Sequence, residues 1–349
     1  MAYTTINKPS EYFNTVLWTG NSNLDNANQT ITGVGFKPDL FWTKIRNAAD
    51  EHHLRDINLG NTTRIRPNSP AVPNTSVCSV VPNSDGFIIT GDDGLEFNQI
   101  GNNYVTWNWR GAGSASSNTD GSITSTVSAN TTSGVSIITY TGTGADATIG
   151  HGLGVAPSIV LVKNLNDGTQ QWSMYNKNLP LTNILILDST NGAFNPSDND
   201  FQDTAPTANV FYLSGATRTN VSSQNFIAYC FAEKKSFSKF GSYTGNGNAD
   251  GTFIYTGFKP AFILLKCSST TGDWQLIDTK RSTFNVCNLR LQPNLSDAEA
   301  GSDTIDICSN GFKQRNTFGN FNTSGQGYIY MAFAEEPLVG TNGVPATAR

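Results

Sequence analysis

Short runs of β-branched and aromatic residues, each closed off by Gly, Asn or Pro, recur along the whole chain. Residues 135–140, 158–162, 225–231 and 261–265 are of this kind and predict strands. Runs that are apolar at every position, such as Ile159-Val160-Leu161-Val162 and Phe262-Ile263-Leu264-Leu265, predict strands covered on both faces, because successive side chains point oppositely. The proline just before each run is tolerable at a strand's first residue. Further turn-to-strand units stand at Asn83-Ser84-Asp85-Gly86-Phe87, Ala208-Asn209-Val210-Phe211 and Ser309-Asn310-Gly311-Phe312.

These elements recur in one order three times. Each copy opens on Thr-Gly, at Gly20, Gly142 and Gly245, and then meets a Gly-x-x-Pro step ending at Pro38, Pro157 and Pro260. Each has a lysine six residues after that proline (Lys44, Lys163, Lys266) and closes on an aromatic strand ending at Trp109, Phe231 or Phe333. The last aromatic lies 71, 74 and 73 residues after the proline, an agreement over many landmarks that marks a true internal repeat. The expected fold is all-β, with three tandem antiparallel β-sandwich (jelly-roll-like) copies of about 100 residues, an ordinary domain size. The boundaries read as an N-terminal arm 1–12, copies at 13–111, 133–234 and 235–336, a Ser/Thr/Asn-rich linker 112–132 that could add a strand at 122–127, and a C-terminal tail 337–349. The long linker allows the first copy to sit apart, while the short join at 234–239 holds the second and third together.

Composition agrees. Only 14% of the 349 residues are charged, while 33 are Gly and 11% are aromatic, a mixture that suits strands and polar turns and suits helices poorly. The net charge of −5 supplies no basic stripe for phosphate neutralisation, so nucleic acid is not an expected partner. No apolar run is long enough to span a bilayer, and residues 1–14 lack the basic start and apolar core of a signal peptide. The five cysteines show no C-x-x-C pair and read as reduced thiols, placing synthesis in a reducing cytoplasm.

Several segments resemble a family of virion proteins of tailed bacteriophages, common in phages of cyanobacteria and other aquatic bacteria. They include Gly150-His151-Gly152-Leu153-Gly154-Val155-Ala156-Pro157, Lys239-Phe240-Gly241-Ser242-Tyr243-Thr244-Gly245, Tyr255-Thr256-Gly257-Phe258-Lys259-Pro260 and Ile329-Tyr330-Met331-Ala332-Phe333-Ala334-Glu335. The likeness also takes in residues 118–130 and runs from about Phe13 to Pro337. It implies a structural part of a phage particle, a tail fibre or head fibre, and no catalytic residues. The first copy departs from it in a basic middle, with Arg55, Arg64 and Arg66.

Catalytic constellations are sparse. His52 and His53 are neighbours whose side chains would face opposite ways on a strand, and His151 reads as a loop histidine making a local hydrogen bond. No Gly-x-Ser-x-Gly elbow is present. Asp25, Asp146 and Asp250 recur shortly after the opening Thr-Gly and read as turn acids, while Asp92, Asp93, Asp198 and Asp200 read as solvated loop acids. Trp172 and Trp274 stand 15 and 14 residues after their prolines, the place of His52 in the first copy, and are expected in the core. Phe194, Phe201, Phe284 and Phe321 fall in polar loops between landmarks and are the receptor-contact candidates.

The expected function is therefore that of a non-enzymatic virion protein without cofactor or metal, made in the host cytoplasm. Its leading role is a tail fibre or adhesin component presenting loops to a host glycan or protein. A capsid or tail decoration part binding other virion proteins, with residues 1–14 as anchor, is the alternative, and a glycan-cleaving tail enzyme the outsider. Two arrangements fit the repeat: a pseudo-threefold monomer, or beads bundled as a homotrimer. The unlike loops near 58–82, 188–206 and 288–306 are where specialised contacts are expected.

Overall fold

Each proline step delivers the chain into a strand with almost no solvent-facing position. Leu40–Ile45 and Ile159–Asn164 are buried throughout, and Phe258–Cys267 everywhere except Ala261. A strand buried at consecutive positions needs a cover on each face, and here the two covers differ. Leu40, Trp42, Ile159, Leu161, Phe262 and Leu264 all enter one core common to the whole chain. Their neighbours enter three separate cores: Phe41 and Ile45 one, Val160 and Val162 another, Ile263 and Leu265 a third.

The computed structural model describes residues 4–21, 28–76, 78–91, 97–339 and 346–347, the side chains of 302–304 excepted. The described chain is all-β and mostly antiparallel, with several sheets and one short 3-10 turn, Pro9–Glu11. Three sheets share one strand order: opening, closing, middle, outer. In the first these are Phe13–Thr19, Asn103–Trp109, Leu40–Ile45 and His53–Asp56. In the second they are Val135–Thr141, Asn225–Phe231, Ile159–Asn164 and Ser173–Asn176; in the third, Ser238–Thr244, Gly327–Pro337, Phe258–Cys267 and Gln275–Asp278. Register agrees as well, since the last aromatic of each closing strand sits between matching partners: Phe13 and Leu40 flank Trp109, Val135 and Ile159 flank Phe231, Ser238 and Phe262 flank Phe333.

A smaller sheet covers the other face of each of these. It is built from Gln29–Ile31, Gly86–Thr90 and Ser79–Asn83 in the first copy, and from Ala147–Gly150 and Val210–Leu213 in the second. In the third it has four strands, Phe253–Tyr255, Gly311–Gln314, Ala300–Cys308 and Cys287–Arg290. Phe87, Phe211 and Phe312 lie opposite Ile31, Ile149 and Ile254 and are fully buried. That pairing makes Ile149 the counterpart of Ile254, so His151 belongs to a turn of varying length and has no strand equivalent.

Three expectations from sequence are corrected. The first copy does not sit apart: Trp109 is 6.4 Å from Phe231 and 5.7 Å from Phe333, and Phe231 is 6.2 Å from Phe333, ring centre to ring centre. The stretch 112–132 is not a loose linker, because Ser116–Asn118 and Ser125–Asn130 extend the second main sheet. Nor is the N-terminal arm a free anchor. Ile6 and Phe13 belong to the common core, Phe13 stacks on Phe333 at 5.1 Å, and Thr4 Oγ1 donates to the Lys235 carbonyl at 2.9 Å. In the third copy the middle strand starts ahead of its proline, and a bulge at Pro260 absorbs the missing donor. Most of the tail 337–349, with Asp25, Asp92 and Asp93, lies outside the described residues.

A core shared by three sheets ties their stability together. Phe333→Ala should cost about 3–5 kcal/mol, and denaturant unfolding of the variant should remain a single transition with protection lost in all three sheets by hydrogen exchange. Loss confined to residues 235–336 would contradict the shared core.

Candidate functional site

The repeated lysines lie on the same strand face as the common-core residues, two positions beyond Trp42, Leu161 and Leu264, at the rim of that core. All three are fully buried. Lys163 Nζ donates to the carbonyls of Pro70, Asn164 and Gln170 at 2.8, 2.8 and 2.9 Å. Lys266 Nζ donates to those of Thr190, Cys267 and Gly272 at 3.0, 3.0 and 2.8 Å. Lys44 Nζ donates to Ile45 and Ala48 at 2.9 and 3.4 Å, with the charges of Asp50, Asp297 and Glu51 near it. Burial pushes each ammonium down to about 8, so all three are still largely charged at neutral pH. One acceptor of Lys163 and one of Lys266 belong to the preceding copy.

The tryptophans continue this seam. Trp172 Nε1 donates to the Arg66 carbonyl at 2.8 Å and Trp274 Nε1 to the Ile186 carbonyl at 3.0 Å. In the first copy His52 takes that place. Its Nδ1 accepts from Trp42 Nε1 at 2.9 Å, so Nε2 carries the proton donated to the Gln292 carbonyl at 3.2 Å. Burial, with the Lys44 charge, holds this imidazole neutral. The second copy thus grips the first, the third grips the second, and the first grips the third, closing a ring.

A third set of contacts runs in the same sense round the ring. Asp56 accepts from Tyr229 Oη at 2.6 Å, and Asp278 accepts from Trp107 Nε1 at 3.0 Å. The equivalent outer-strand residue in the second copy is Asn176, and the equivalent closing-strand residue in the third is Met331. A thioether has no proton to donate, so no carboxylate is needed opposite it. Burial raises Asp56 to about 6 against the pull of the Tyr229 hydroxyl and the Leu59 and Asn58 amides.

Placing the remaining candidates separates core from surface. Phe321 is 0% and Phe201 4% exposed, and Phe194 packs against the second copy's core; only Phe284, at 79%, faces solvent. Polar flanks concealed this, because loop backbone folds over an aromatic whose neighbours stay wet. Asp200 is likewise no solvated acid: it is fully buried, takes Arg218 at 2.9 and 3.0 Å, and accepts from Ser173 Oγ at 2.5 Å. The basic middle of the first copy is also interior, with Arg55 and Arg64 buried and Arg55 over the Phe97 ring at 5.1 Å. Trp172 and Trp274 are buried as expected; His151 is buried too, and bonds within its own copy, to Leu153 and Thr207.

Among the described residues the strongly exposed aromatics are Phe253, Tyr255, Phe284 and Phe318, all in the third copy. Phe253 and Tyr255 flank the buried Ile254 on an edge strand and point outward. Beside Phe253 run Lys313 and Asp306 on successive strands; beside Tyr255 run Gly311 and Cys308. Asp250 pairs with Lys313 at 2.6 Å and with Arg315 at 3.0 Å, and Arg315 reaches Asp306 at 3.2 Å. Asn285 exchanges two hydrogen bonds with the Ile307 backbone, at 2.9 and 2.8 Å, fixing the turn that bears Phe284. Lys313, by hydrogen bond and charge, holds Asp250 below the usual carboxylate range, which unsuits it for general-acid work, and burial raises the Cys308 thiol. Among the described residues no group of His, Cys, Asp and Glu could hold a metal ion, and no helix is long and apolar enough to cross a membrane.

A family model described as a domain of unknown function (DUF7483) matches residues 8–337, taking in all three copies at once. No curated protein and no solved structure matches the chain.

Two substitutions test the seam. Lys163→Met strands three carbonyls at a largely buried rim and should lower stability by about 2–4 kcal/mol in urea unfolding; a neutral result would show the ammonium to be dispensable. Asp56→Asn copies the second copy's solution. A carboxyl raised on folding adds stability that is whole below about pH 4 and lost as pH climbs through about 6. The variant should therefore gain on the parent protein by about 3 kcal/mol between pH 4 and pH 7. A difference that stays flat with pH would remove Asp56 as the titrating group.

Proposed function

We propose a virion role for this chain, which belongs to the DUF7483 family: a non-enzymatic structural protein of a tailed phage, serving as a tail fibre or adhesin component in host attachment. In this reading residues 13–111, 133–234 and 235–336 are three jelly-roll-like sandwich copies closed into a pseudo-threefold monomer. Two copies are scaffold and the third carries the contact surface. The observation behind it is the confinement of the strongly exposed aromatics, among the described residues, to one copy. Exposed aromatics clustered on one side mark surfaces that meet a partner, and among the described residues the other two copies, with the same order of main-sheet strands, do without them. The resemblance to aquatic-phage virion proteins supplies the particle and the host.

A second reading, a capsid or tail decoration protein, draws on the ring itself. A chain with approximate threefold symmetry matches a threefold partner, and its face would be read by other virion proteins.

Labelled protein incubated with host cells should be retained, and a Phe253→Ala, Phe284→Ala double variant should lose roughly tenfold in affinity, as befits two aromatic anchors. Absence of retention, together with specific binding to assembled particles, would transfer the role to decoration.

A further inference from the structure

The join between the second and third copies forms one wall of a groove of about 450 Å³, and the turn at 255–257 forms the other. Ser236, in the middle of the join, has φ of 61°, a left-handed conformation costly for a residue with a Cβ. Its neighbours hold it there. The amides of Phe237 and Ser238 both donate to the Lys234 carbonyl, the Lys234 amide donates to Ser238 Oγ at 3.0 Å, and Thr4 Oγ1 clamps the Lys235 carbonyl. Ser236 is only 5% exposed, and its Oγ has no hydrogen-bond partner. A buried hydroxyl without a partner on a strained backbone is a cost that folding alone does not explain.

Across the groove stands Tyr255, 54% exposed, with Phe253 beside it on the same strand. The other copies provide the comparison. Residues flanking Ile31 and Ile149, which hold the same register as Ile254, are Thr30 and Thr32, and Thr148 and Gly150. The aromatic pair is therefore no requirement of the scaffold. Charge adds a third observation. Among the described residues the groove's one carboxylate is Glu233, engaged by Lys177 at 2.7 Å and Lys239 at 3.4 Å, and Lys235 also lines the groove. Cations outnumber anions here on a chain whose net charge is −5.

We propose that this groove binds a uronic-acid residue of an acidic polysaccharide. The apolar face of the pyranose lies on Tyr255, its carboxylate meets the ammonium groups of Lys235 and Lys239, and one of its hydroxyls pairs with Ser236 Oγ. An acidic pyranose combines the three chemistries that the groove brings together: a flat apolar face, a rim of hydroxyls and an anion. The proposal deepens the attachment reading by naming the chemical class of surface glycan.

The intact protein is titrated with oligogalacturonate and, for comparison, with neutral oligogalactose, by calorimetry. Binding of the acidic oligomer is expected, weakened roughly tenfold or more by Tyr255→Ala and by Lys239→Met. Ser236→Ala should weaken binding while leaving the melting temperature unchanged or raised, an outcome that a purely structural serine would not produce. No binding of the acidic oligomer at millimolar concentration overturns the proposal, as does equal binding of the neutral one. Host-cell retention that survives Tyr255→Ala and Ser236→Ala would overturn the groove and leave attachment standing. Oligogalacturonate binding without cell retention would leave the groove standing and overturn attachment.

Discussion

Everything in this molecule depends on the contact among Trp109, Phe231 and Phe333. Each is the last aromatic of a closing strand, each touches the other two, and around them the inner faces of three sheets give up their water together. No single copy could bury this surface. Its main sheet would expose a continuous apolar face of Leu, Ile, Trp and Phe, which in water means association or unfolding. Three copies in one chain answer that demand internally. The strands with no exposed position follow directly, since one face serves the copy and the other serves the ring.

The ring is closed by polar chemistry at its rim. Buried lysines, indole N–H groups and carboxylates find acceptors or donors in the adjacent copy, and each would be costly if left unmatched. The copies solve the same problem with different residues where local chemistry requires it. His52 replaces a tryptophan and, held neutral, keeps the donor. Asn176 replaces an aspartate in the copy whose neighbour offers Met331 in place of an aromatic donor. These exchanges are compensations inside one chain, and they identify the seam as a constraint on sequence.

The loops in which the copies differ most bear on function in an unexpected way. Segments near 58–82, 188–206 and 288–306 supply Arg66, Pro70, Thr190, Gln292 and Glu299 to the neighbouring copy. They diverge because each must fit a different neighbour, and the ring consumes them. The strongly exposed aromatics among the described residues lie in the third copy, with Phe253 and Tyr255 on the edge strand of its smaller sheet and Lys313 and Asp306 beside Phe253.

Much of this was legible in the residues. Period-two runs, proline steps and Thr-Gly turns are local consequences of backbone sterics and side-chain burial, so they declared an all-β chain and a threefold repetition. The lysine spacing and the paired places of Trp172, Trp274 and His52 were visible too, though as landmarks without a purpose. What sequence could not tell was which polar residues go inside. Lys44, Asp200, Arg55, Phe201 and Phe321 are buried by partners that no local pattern names, such as Ser173 and Arg218 for Asp200, Phe97 for Arg55 and Tyr175 for Phe201. The same holds for the first copy's place in the ring and for the strand Ser116–Asn118 in the Ser/Thr-rich stretch 112–132, where sequence offered only one strand near 122–127. Local order is set by neighbours along the chain, and the sequence by itself determined it. The closure of the ring is set by contacts across the chain, and only the tertiary structure decided it.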